Sequence, residues 1–68
     1  MRFSIEVEQE ADGRWIAEVT DLPGVLSYGT TRDEAESKVQ ALALRVMADR
    51  LENAEGPSEL VNISFAKL

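Results

Sequence analysis

The residues of this chain that can carry chemistry are carboxylates. There is no histidine and no cysteine among its 68 residues. Imidazole acid–base catalysis, thiolate attack and the usual zinc ligand sets are therefore excluded. The acids with the most suggestive spacing are Glu6 and Glu8, then Glu18 and Asp21, then Asp33 and Glu34. Carboxylates gathered on one surface can hold divalent metal for phosphodiester hydrolysis, and Glu6, Glu8, Glu18 or Asp21 are the residues such a nuclease would use. Acids at alternate strand positions are also the ordinary solvated side of a half-buried sheet, and the alternation favours that simpler reading. The expectation is of a protein that is not an enzyme, with no catalytic residue, no metal ligand and no cofactor.

The elements that must position these acids are legible from periodicity. From Arg2 to Gln9, Phe3, Ile5 and Val7 alternate with Ser4, Glu6 and Glu8, which is the period of a half-buried strand. Asp12-Gly13 supplies the positive backbone angles of a tight hairpin. Arg14 to Thr20 alternates again, with Trp15, Ala17 and Val19 facing the core and Arg14, Ile16 and Glu18 facing away. Ile16 thus falls among acids on the exposed face, where it can anchor a partner. Asp21-Leu22-Pro23-Gly24 is a second turn, with proline at its first central position and glycine at the next. Val25 to Tyr28 is a short third strand that Gly29 is expected to break. Tyr28 belongs at a sheet edge, either packed there or in contact with another chain.

Thr31-Arg32-Asp33-Glu34 has the form of a capping box. No glycine or proline interrupts Arg32 to Glu52, a run of about 20 residues, or about 30 Å of helix. Ala35, Val39, Leu42, Val46 and the stem of Arg50 have the spacing of a buried face, with Ala43 and Met47 beside them. Leu44 lies opposite Ala35, and Ala41, Ala48 and Leu51 gather round it as a second apolar patch, able to bury in a homo-oligomer or against a partner. Asn53 to Ser58, holding Gly56-Pro57, ends the helix. Leu60 to Phe65 alternates once more, with Val61, Ile63 and Phe65 against Leu60, Asn62 and Ser64. The order predicts an α+β fold over residues 1–68, a single two-layer β-β-β-α-β domain. Its first three strands form an antiparallel meander, and one right-handed crossover helix returns the chain to the sheet.

Size and charge bound the function. So short a chain buries little surface, and without disulfides or a structural metal it gains from self-association or from a partner. Seven basic against thirteen acidic residues give a net charge of −6, which repels phosphate backbones and disfavours direct nucleic-acid binding. That charge suits a basic protein partner, or serves solubility alone. With no apolar signal core and no stretch long enough to span a bilayer, a cytoplasmic location away from membranes is expected.

Taken together, Gly13-Arg14-Trp15-Ile16-Ala17-Glu18-Val19, Asp21-Leu22-Pro23-Gly24-Val25, Gly29-Thr30-Thr31 and Glu34-Ala35 resemble the HicB-like antitoxin family. The resemblance implies a fold similar to a reduced ribonuclease H core. It also implies a partner, a small basic HicA-type ribonuclease toxin that the antitoxin neutralises by direct contact. Many members of that family carry a DNA-binding segment after this domain. Here the sequence ends at Ala66-Lys67-Leu68, just past the fourth strand, so operator binding is not carried over and only the HicB-like core domain is expected.

Overall fold

The computed structural model describes residues 1–53 and 63–68. The expected turn at Gly56-Pro57 and residues Leu60 to Asn62 of the expected fourth strand lie outside them. The chain runs β1 (Arg2–Gln9), β2 (Trp15–Val19), β3 (Leu26–Gly29), α1 (Arg32–Glu52) and β4 (Ser64–Lys67). This is the expected α+β order, one helix against one sheet. The sheet is mixed, in the order β3-β2-β1-β4. β1–β2 and β2–β3 are antiparallel, and β4 lies parallel to β1. The helix carries the chain from one edge of the sheet to the other, a length of connection that a parallel strand requires.

Alternation decides which side chains the helix covers. Phe3 and Ile5 of β1 and Ala17 and Val19 of β2 are buried, with Val7 and Trp15 packed against them. Leu22 and Val25 close the core from the second turn, and Ala35, Val39, Ala43 and Met47 complete it from the helix. The buried helix stripe therefore advances by four residues each turn. Leu42 and Val46, expected on its centre line, are only partly buried beside it. A four-residue step lags 3.6-residue periodicity, so the stripe winds round the helix and follows the twisted sheet beneath.

The turns refine the expectations. The first hairpin loop holds three residues, Ala11 to Gly13, because the Gly13 amide donates to Glu10 O at 2.9 Å and the Glu10 amide to Arg14 O at 2.7 Å. Gly13 has φ 93°, the left-handed position that a type I turn with a bulge needs. In the second turn the Val25 amide donates to Leu22 O at 3.1 Å, with Pro23 and Gly24 central and Gly24 at φ 82°, as a type II turn requires.

Gly29 does not break β3; it is the last residue of that strand, paired with Trp15 and buried. A Cβ there would stand 2.6 Å from the Ala35 backbone nitrogen, so glycine is what lets the helix start lie on the strand. Thr31 caps the helix as expected, its hydroxyl accepting from the Glu34 amide at 3.1 Å. The return bond lands one residue earlier than in a standard box, where Glu34 accepts from the amide and the hydroxyl of Thr30, each at 3.2 Å. β4 begins later than the alternation suggested. It places Phe65 beside Phe3, ring centroids 5.6 Å apart, and leaves Ile63 exposed ahead of the strand. None of the described helices is long and apolar enough to cross a membrane.

Candidate protein-binding surfaces

The sheet is covered by α1 on one side, and its register writes two rows across the other. Glu8 pairs with Ile16 and Ile16 with Tyr28; Glu6 pairs with Glu18 and Glu18 with Leu26. Each row therefore runs from an acid on β1, through β2, to a large apolar side chain on β3. Leu26 and Tyr28 are exposed, and Ile16 is half-buried in a shallow depression it shares with Glu6, Glu8 and Glu18. Ile16 and Tyr28, both candidates from the sequence, thus meet as cross-strand neighbours. Leu26, which sequence reasoning left without a role, joins them; its spacing of two from Tyr28 was the signal available.

Electrostatics on this face are unbalanced. Glu6 and Glu18 oppose each other directly, an arrangement that costs stability when both are ionised. Among the described residues, neither they nor Glu8 form an ion pair. Arg14 is otherwise engaged. Its Nε donates to Asp12 Oδ2 at 2.8 Å, and its guanidinium carbon lies 4.6 Å from the Tyr28 ring centroid, in cation–π contact. The Arg14 amide, and then its guanidinium, hold the Asp12 carboxyl below the ordinary carboxylate range.

Among the described residues, no three acids are grouped so as to hold a metal ion. Asp21 is committed to structure, accepting from the Ser4 amide at 2.6 Å beyond the end of the β1–β2 pairing. Glu34 serves the helix start and accepts from Lys38 Nζ at 3.1 Å. Lys38 first, then the Thr30 amide, keep the Glu34 carboxyl below its ordinary value.

Leu44, Ala48 and Leu51, the remaining candidates, are exposed together with Ala41 on the helix surface turned away from the core. The five sequence candidates therefore divide between two opposite surfaces of the molecule.

One buried charge escaped the sequence reading altogether. Glu36 is the only charged residue among the described ones to be buried. It accepts from Arg32 Nε at 3.0 Å and faces Lys67 Nζ across 2.7 Å. Arg32 four residues earlier was visible as a helix pair. Lys67 was not, because only the parallel β1–β4 pairing brings it over the helix start.

No protein-family model, no curated protein and no solved structure matches the chain.

Proposed function

We propose that this protein is a HicB-like antitoxin-type binding module, acting in the cytoplasm, that neutralises a small basic HicA-type ribonuclease by direct contact and performs no chemical step itself. The observation that carries the reading is the sheet face opposite α1, where Ile16, Leu26 and Tyr28 adjoin three glutamates that form no ion pair with any described residue. Apolar side chains offer burial, and the acids favour a positively charged partner while steering its approach. The motif string that resembles the HicB-like family supplies the kind of partner, and the charge of −6 agrees with it. The test is to co-express the chain with the protein encoded beside it. Co-purification, together with suppression of that protein's RNA cleavage, is the expected result. The reading fails if the neighbour is captured but its cleavage continues unchanged, or if no basic neighbour binds.

A second reading, self-assembly in a role separate from toxin inhibition, is favoured by the exposed helix stripe of Ala41, Leu44, Ala48 and Leu51. It requires a defined oligomer in light scattering that Leu44→Glu breaks up. A chain that stays monomeric at high concentration rules it out.

A further inference from the structure

We propose that β3 is a receptor edge: an extended segment of a basic partner protein adds to it as a further strand, hydrogen-bonding to the main chain of Leu26 and Tyr28. The proposal rests on the reading of this protein as a binding module for a basic partner and identifies the surface that does the binding.

The direction of the main-chain groups follows from two bonds. The Val19 amide donates to Val25 O at 3.0 Å, and the Thr20 amide donates to Ser4 O at 3.0 Å. Odd-numbered residues of β2 therefore turn their N–H and C=O groups towards β3, and even-numbered ones turn theirs towards β1. Antiparallel pairing alternates in the same way on the partner strand. Ser27 and Gly29, opposite Ala17 and Trp15, spend their main-chain groups on β2. Leu26 and Tyr28 direct theirs away from the sheet. β3 stands at the end of the sheet order, and no described residue supplies a hydrogen-bond partner there. Two N–H and two C=O groups at residues two apart are what an added strand pairs with.

The side chains identify the occupant. Leu26 and Tyr28 are exposed on the uncovered face, so the added strand's side chains on that face lie beside them. Next to Tyr28, whose ring already carries the Arg14 guanidinium, an apolar side chain fits and a second cation does not. Next to Leu26 the row continues to Glu18, two strand spacings or about 10 Å from the added strand. That span is within the combined reach of an arginine and a glutamate side chain. The segment is therefore extended, with an apolar residue and an arginine two positions apart. A second copy of this chain is a poor occupant. Each copy carries −6, and this edge offers a small fraction of the roughly 800 Å² per partner that a stable dimer buries.

The test uses the full chain and a synthetic peptide of alternating threonines with arginine and valine at every second remaining position. A control peptide has glutamate in place of arginine. Binding of the arginine peptide is expected to slow hydrogen exchange at the Leu26 and Tyr28 amides about tenfold or more. Leu26→Pro, which removes an N–H not used by the β2–β3 ladder, is expected to abolish that binding, while unchanged exchange at Ala17 and Val19 shows the sheet intact. Glu18→Lys is expected to weaken the arginine peptide about tenfold and to admit the control.

Three results overturn the proposal: binding that protects neither amide, binding that Leu26→Pro leaves unchanged, and no binding at millimolar peptide. Protection that rises with chain concentration in the absence of peptide also overturns it, assigning the edge to a second copy. Its failure is separable from that of the antitoxin reading. If Leu26→Pro still neutralises the neighbouring nuclease, the edge assignment falls and that reading stands. If the peptide binds as described and the nuclease is never captured, the reading falls and the edge stands.

Discussion

Gly29 has no room for a side chain, because an added Cβ would lie 2.6 Å from the Ala35 nitrogen, 3.0 Å from Thr31 O and 3.0 Å from Glu34 Cβ. Two of those neighbours are backbone at a capped helix start and cannot move aside without separating α1 from β3. Gly29→Ala is expected to cost about 1–3 kcal/mol, measured by urea denaturation. Glu36, alongside Glu34, contributes to the pH dependence of the same region. Lys67 chiefly, with Arg32 assisting, holds its carboxyl below the ordinary 4.5 against the opposing effect of burial. A carboxyl lowered by folding stabilises in full above its unfolded pKa, and that contribution is lost as pH falls through the folded value. Lys67 and Arg32 are about half exposed, so solvent weakens the pair relative to a fully buried one. Lys67→Met is expected to cost about 1–2 kcal/mol at about pH 7 and clearly less at about pH 3.5. An equal cost at the two pH values would show that Glu36 does not titrate through this contact.

At the scale of elements, the helix start is the most heavily specified junction. Thr31 caps it, Glu34 reaches back to Thr30, and Asp33 and Glu34 complement the positive end of the helix. Thr31→Ala is expected to destabilise by about 1 kcal/mol, seen as a lower Tm with the helical circular-dichroism spectrum retained. The capping box was readable because both partners are within four residues of each other. Its shift by one residue was not, since the return bond depends on how β3 delivers Thr30. The strands β1 and β2 and the bounds of α1 were likewise legible, because a period of two and an unbroken helical run are local properties. The centre line of the buried helix face was read as Leu42 and Val46 but lies along Ala43 and Met47. Angular spacing places both pairs on the inward side, and only the crossing of α1 over the twisted sheet selects between them.

At the scale of the molecule, the governing fact is that among the described residues α1 covers the sheet on one side only. A two-layer fold of this size holds one small core, of which Ile5, Val19 and Val39 are the largest wholly buried side chains. Ile5→Ala is expected to cost about 2–5 kcal/mol, comparable with the entire stability of so small a domain. Loss of the cooperative thermal transition is therefore the expected outcome. Leu44→Glu, on the opposite side of the helix at 46 % exposure, is expected to change monomer stability by no more than about 0.5 kcal/mol. A larger loss that grows with chain concentration would place Leu44 inside a contact between copies.

By itself the sequence determined the element order, the turns, the helix cap and the alternation that puts Glu6, Glu8, Glu18 and Ile16 on one side of their strands. Those follow from interactions spanning a few residues, which composition and spacing record directly. Only the tertiary structure decided that β4 forms the other edge beside β1, that Glu6 opposes Glu18, that Leu26 and Tyr28 face outward with main-chain groups that meet no described partner, and that Lys67 reaches Glu36. Each of these depends on register and strand order between segments far apart in the chain. A strand's own pattern says which face is buried, but it does not say which strand lies alongside it.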